Sequence, residues 1–191
     1  AANADGNDSR ITFDSPDGPG CTAANVCTIL LGSGLPQVNT TVLLDGAPNG
    51  ARITLDGGGT HTILSAFGNT MTVNALAFVN GTGGSGGALS TNFTTLTVTN
   101  CLFANNSGGA IRSSNRTALI ANSTFSGNSG GTSAGINHGG SGLGAFLTVR
   151  NCTFKGGTSA NGATAGATGI AVLLSPNELR NNVFVNDADP G

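Results

Sequence analysis

Residues 95–112 read TLTVTNCLFANNSGGAIR, and their pattern decides the fold. Apolar and polar residues alternate as far as Thr99, pause at Asn100, resume with Cys101 and Phe103, then give way to Asn, Ser and Gly. Alternation with period two marks a strand with one buried face, here with Leu96 and Val98 inside and Thr95, Thr97 and Thr99 outside. Asn100 reads as a corner between two strands. The chain then repeats the phrase. Aligned on phenylalanine, TVNALAFVNG, TVTNCLFANN, LIANSTFSGN, TVRNCTFKGG and ELRNNVFVND superimpose around Phe78, Phe103, Phe125, Phe154 and Phe184. Five residues before each Phe stands Val73, Val98, Ile120, Val149 or Leu179. Three before stands Asn100, Asn122, Asn151 or Asn181, with Ala75 in the first copy.

A second landmark precedes the last four copies: Leu89 after Gly-Gly-Ala, Ile111 after Gly-Gly-Ala, Ile136 after Ala-Gly and Ile170 after Thr-Gly. The intervals to the following Phe are 14, 14, 18 and 14 residues, and the long one contains HGGSGLG (138–144), which reads as a four-residue surface insertion. Each repeat is thus a coil of three short strands. Repeats of 22 to 34 residues leave no room for helices between parallel strands, so each coil must stack directly on the last. The pattern predicts an all-β, right-handed, single-stranded parallel β-helix. Its expected core is Leu89, Val98, Phe103, Ile111, Ile120, Phe125, Ile136, Val149, Phe154, Ile170 and Phe184. Along the corner, Asn100, Asn122, Asn151 and Asn181 are expected to bond side chain to side chain as a ladder.

The opening half fits the same plan. TVLLDG and ARITLDGGG share a Leu-Asp-Gly turn and HTILSA supplies another strand, which carries the solenoid back to about Ile11. About seven or eight coils, spaced about 4.8 Å apart, would make a rod of roughly 35–40 Å. Residues 1–34 are read as an N-terminal cap or first coil and residues 35–191 as the coils, in a single domain. Apolar spacing at i, i+3 and i+4 is nowhere sustained, so no helix is expected.

Composition agrees with this and narrows the function. Only 8% of the 191 residues are charged and 32 are Gly, yet 38% are hydrophobic and regularly placed, which argues against disorder. No apolar run approaches the roughly 18 residues of a membrane-spanning helix. Residues 57–177 hold no Asp or Glu and only Arg112, Arg116, Arg150 and Lys155, too sparse a charge for a nucleic-acid surface. The opening AANADGNDS suits a mature end left by signal-peptide cleavage.

Gly-Gly-Ala-Ile (108–111) and Phe-x-x-Asn (Phe103 to Asn106, Phe125 to Asn128) resemble the paired short motifs of the polymorphic outer-membrane protein repeats. The ITFD, LLDG and ITLDGGG segments are similar to the start of secreted bacterial right-handed β-helix domains. The resemblance spans about residues 11–186 and implies a β-helix displayed at a cell surface.

Cys21 and Cys27 bracket TAANV and are expected to form a disulfide in an exported protein. Cys101 and Cys152 share an inward column with Ser123 between them. Two coils apart means about 9–10 Å, beyond disulfide reach, so both are expected as buried free thiols. Neither His61 nor His138 has zinc-ligand spacing to them, and no metal or cofactor is expected.

Glycoside hydrolysis needs two carboxylates about 5–9.5 Å apart, and the central coils contain none. Asp45 and Asp56, eleven residues apart in their Leu-Asp-Gly turns, read as acceptors of backbone N–H bonds, though they could be neighbours. INHGGSGLG (136–144) is faintly similar to the His-Gly loop of polygalacturonase-type hydrolases but lacks their paired aspartates, so His138 reads as an ordinary loop histidine. Arg150 and Arg180 share an outward column as solvated decoration. The outward columns Thr72, Thr97, Leu119, Thr148 and Asn74, Thr99, Ala121, Arg150 are interrupted for ice binding by Leu119 and Arg150. NNVFVNDADPG stops one or two residues after a regular strand, with no amphipathic helix expected to cover the stack. The reading is an extracellular, cell-surface solenoid of structural or adhesive role, without catalytic residues. Its expected partner is a second copy stacked head to tail into a filament, or a surface glycan. The alternatives are a carbohydrate-binding or polysaccharide-degrading β-helix, or an ice-binding protein.

Overall fold

Three faces build the molecule, each a sheet of parallel strands save for one hairpin at the edge of the second. The computed structural model describes residues 9–13, 20–22, 26–47, 52–84, 86–130, 132–140, 144–159, 169–173 and 176–185. The tip of the 138–144 insertion (141–143), the TAANV loop interior and the residues after 185 lie outside these.

The first sheet stacks β1 (Ser9–Thr12), β4 (Val42–Asp45), β7 (Thr70–Asn74), β10 (Thr95–Thr99), β13 (Ala118–Ala121), β17 (Leu147–Arg150) and β21 (Asn177–Arg180), in that order. The second stacks β2 (Cys21–Thr22), β3 (Val26–Leu30), β5 (Arg52–Asp56), β8 (Leu76–Val79), β11 (Leu102–Ala104), β14 (Thr124–Ser126), β18 (Thr153–Lys155) and β22 (Val183–Val185). The third holds β6 (Leu64–Phe67), β9 (Leu89–Asn92), β12 (Ile111–Ser114), β16 (Ile136–Gly139) and β20 (Ile170–Leu173). A short pair, β15 (Ser129–Gly130) with β19 (Thr158–Ser159), bridges one corner. Every described pairing between strands is parallel except β2 with β3. This is a parallel β-solenoid.

The sequence columns are the structural columns. Val73, Val98, Ile120, Val149 and Leu179 are successive register partners, as are Phe78, Phe103, Phe125, Phe154 and Phe184. The third column runs Leu64, Leu89, Ile111, Ile136 and Ile170. The phenyl rings lie nearly parallel, with centroids 5.2, 5.0, 4.7 and 4.9 Å apart down the column. The 4.8 Å strand spacing dictates that distance, and the stack adds attraction to the area each ring buries. Leu89, Val98, Phe103, Ile111, Ile120, Phe125, Ile136, Val149 and Phe154 are buried.

Three expectations need correction. The solenoid completes about five three-sided turns, fewer than the expected seven or eight, because the third sheet has only five strands. Between β3 and β4 the third side shrinks to a single bridge, Val38 with Ala66. Gly32, Gly34 and Pro36 crowd that segment, and proline offers no N–H to a ladder. Ile170 is only half-buried, and Phe184 stacks on Phe154 yet is 48% exposed, because it stands on the last described coil.

Corners explain the asparagines. The five turns from the first sheet to the second that follow β7, β10, β13, β17 and β21 pass through a positive-φ residue: Ala75 (55°), Asn100 (57°), Asn122 (52°), Asn151 (54°) and Asn181 (51°). This left-handed region costs most residues about 1–2 kcal/mol, whereas asparagine visits it readily. The second corner uses Asn80, Asn105, Gly127 and Gly156 in the same way. The third uses Gly68, Asn115 and, against the rule for bulky side chains, Phe93 at 52°.

Candidate functional site

Two asparagine columns do different work. In the exposed one, the Asn151 amide donates to Asn122 Oδ1 at 3.2 Å and the Asn181 amide to Asn151 Oδ1 at 3.4 Å. Asn100 donates instead to Asn74 Oδ1 at 2.9 Å, and no amide bond joins Asn100 to Asn122 among the described residues. The ladder is therefore split in two, since Asn100 finds an acceptor at the strand end of the coil below. The second column is Asn106 and Asn128, which are 0% and 2% exposed. Asn106 Nδ2 donates to the Phe78 carbonyl at 3.1 Å and to Asn128 Oδ1 at 3.0 Å, while its Oδ1 accepts from Gly81 N at 2.8 Å. Asn128 Oδ1 also accepts from Asn106 N at 2.9 Å, and its amide donates to the Phe103 carbonyl at 3.0 Å. The Phe-x-x-Asn motif thus has a physical reason: each asparagine ties its coil to the carbonyl of the phenylalanine one coil below. In the next coil, FKGG places Gly157 where that asparagine would stand. A cavity of about 10 Å³ opens there, lined by Phe125, Asn128, Phe154, Lys155, Gly157 and Gly169 among others. It is barely the size of one water.

Cys21 and Cys27 form a disulfide across the β2–β3 hairpin. Cys101 and Cys152 are buried free thiols. Burial pushes the Cys101 thiol up to about 11 and raises that of Cys152 as well. Between them in the column, Ser123 Oγ accepts from Cys101 N at 3.1 Å and donates to the Ala121 carbonyl at 2.8 Å. Both sulfurs therefore behave as small apolar fillers rather than nucleophiles.

The carboxylates are tied into turns. Asp45 accepts from Arg10 at 2.9 Å, from the Asn74 amide at 3.1 Å and from Ala47 N at 3.3 Å. The Asn74 bond is the chief reason its carboxyl titrates below the ordinary range. Asp56 accepts from Gly58 N at 2.9 Å and from the Asn80 amide at 3.0 Å. They end strands on different sheets, each with its own partners. Arg150 and Arg180 are register partners, and Arg180 pairs with Glu178 on its own strand. Among the described residues no three His, Cys, Asp or Glu gather as a metal site.

His138 corrects a reading. It is no loop residue: it sits on β16 pointing inward, 0% exposed, in the column Ala66, Thr91, Ser113, His138, Val172. Neither ring nitrogen has a hydrogen-bond partner, and neither does Ser113 Oγ on the neighbouring strand. Desolvation lowers the imidazole pKa from its ordinary 6.5. The strand continues the Ile136 column, a signal present in the sequence but masked by the glycines that follow.

The outer face of the third sheet carries a pair no motif revealed. Phe67, the last residue of β6, and Phe93, just past β9, meet edge to face with centroids 5.8 Å apart and planes at 72°. They are 47% and 48% exposed. Beside them Asn92 Oδ1 accepts from Asn115 Nδ2 at 2.8 Å and Ser114 Oγ at 3.2 Å.

This geometry defines the chain as a parallel β-solenoid. No family model, curated protein or solved structure matches it. Among the described residues no helix is long and apolar enough to cross a membrane.

Proposed function

We propose that this chain is an extracellular solenoid of the polymorphic outer-membrane protein repeat type, serving a structural or adhesive role at a cell surface. One observation carries the reading: the recurring residues are occupied in holding coil to coil. The phenylalanines stack, Asn106 and Asn128 tie adjacent coils, and the corner asparagines hold the backbone, while on β7 and β10 hydroxyl and amide side chains occupy the outward positions. A rod assembled this way presents a surface and needs no reaction to justify its motifs. The Cys21–Cys27 disulfide is compatible with an oxidising compartment.

A second reading is head-to-tail stacking of copies into a filament, in which the end coils of adjacent copies would extend the parallel ladders that join the coils within one chain. At the N-terminal end, β2 runs antiparallel along β3 and occupies that edge of the second sheet. Electron microscopy of purified protein, beside a polysaccharide-degradation screen, tests both. Single rods without bond cleavage support the surface role, filaments select the second reading, and released oligosaccharides overturn both.

A further inference from the structure

The geometry points to the Phe67–Phe93 pair as a glycan-binding platform that takes the apolar face of a hexopyranose. This rests on the surface-adhesive reading and names the ligand class it would engage. Three observations converge. First, both rings are about half exposed, although every phenylalanine of the Phe78–Phe154 column is buried. Second, Phe93 holds a left-handed corner, φ 52°, where neighbouring coils place Gly68 and Asn115. A bulky side chain is strained there and recovers little by burial, so its presence is not explained by the fold; strain of this kind collects at binding sites. Third, the surroundings are polar in the manner a sugar requires. Ser90, Asn92, Arg112 and Ser114 occupy outward positions on the adjoining strands β9 and β12. With Asn92 Oδ1 taken up by Ser114 and Asn115, its amide donates to no protein group among the described residues.

A pyranose ring presents axial C–H groups on one face and hydroxyls around its rim. The C–H face packs against an aromatic ring, and the rim hydroxyls accept from an amide and exchange bonds with serines. Two half-exposed rings set at 72° offer one flat wall and one edge. Their extent is far below the roughly 800 Å² per partner of a stable protein interface, which disfavours a second copy or another protein as occupant.

The test uses the full chain, Phe67→Ser and Phe93→Asn on an array of neutral and uronate-bearing hexopyranose oligosaccharides, with titration calorimetry on the best-bound glycan. The expected result is binding to a hexopyranose glycan that falls by roughly tenfold or more in each variant. Phe93→Asn is also expected to melt no lower than the parent, because asparagine suits the corner; stability and binding then move apart, which a merely structural role would not produce. No glycan bound, or binding indifferent to both substitutions, overturns the platform; in the second case the adhesive reading survives without it. Self-association that the substitutions abolish, seen by sedimentation, overturns it too.

Discussion

Asn128→Ala and Asn122→Ala remove the same side chain from adjacent corners of one coil, yet the structure assigns them unequal costs. Asn128 is 2% exposed and does not hold a positive φ, so its substitution tests hydrogen bonding alone. Alanine there orphans Asn106 N, one bond of the Asn106 amide, and the side-chain bond to the Phe103 carbonyl. Buried polar groups left without partners cost about 1–3 kcal/mol each; with Asn106 keeping its Phe78 bond, the total comes to about 3–5 kcal/mol. Asn122 is exposed and bonds only to Asn151 through its side chain, but its φ is 52°. Alanine there costs the left-handed penalty of about 1–2 kcal/mol and little more. Urea unfolding followed by circular dichroism measures both. A cost for Asn122→Ala equal to or above that for Asn128→Ala refutes the claim that buried rungs, rather than corner geometry, bind coil to coil.

Ala75→Asn is expected to stabilise the protein by about 1 kcal/mol, since it relieves the alanine at φ 55°; calorimetry should record a rise of about 2–4 °C, and a fall would contradict the corner argument. His138→Leu is expected to stabilise at neutral pH by removing two orphaned ring nitrogens. Because burial lowers the folded-state pKa of His138, the unfolded chain binds the proton more readily. The cost this adds is therefore absent above about 6.5 and grows as pH falls toward the folded value; urea midpoints against pH should fall less steeply in the variant. Cys101 and Cys152 should resist a thiol reagent at pH 8 in the folded protein and both react once it is unfolded; rapid labelling of the native state would show that they are not the shielded fillers described.

The columns were legible because stacking forces identical environments on residues one coil apart. Val98 and Ile120, or Phe103 and Phe125, meet the same interior, so the repeat in the sequence is the register of the sheet. The corner at Asn100 was legible for the same reason. Properties that belong to single coils were not. Asn106 stood in a visible motif, but its bond to the Phe78 carbonyl depends on how far a side chain reaches across one strand spacing. His138 lay in the Ile136 column two residues on, where the glycines that follow it gave the stretch the look of a loop. Phe67 and Phe93 occupy different positions of their coils, a strand end and a corner, and only the stacking of β6 beside β9 brings them together. The reduced third side before β4 turns on the proline and glycines around Val38, whose effect on one ladder outweighs a strand-like spacing.

The in-register stack itself is tested most directly by ring-to-ring nuclear Overhauser contacts in protein labelled only at phenylalanine, assigned with single Phe→Leu variants. The account requires a chain of contacts from Phe78 to Phe103, Phe125, Phe154 and Phe184 in that order, consistent with centroids 4.7 to 5.2 Å apart. Silence between Phe103 and Phe125, or a contact that skips a coil, would contradict it.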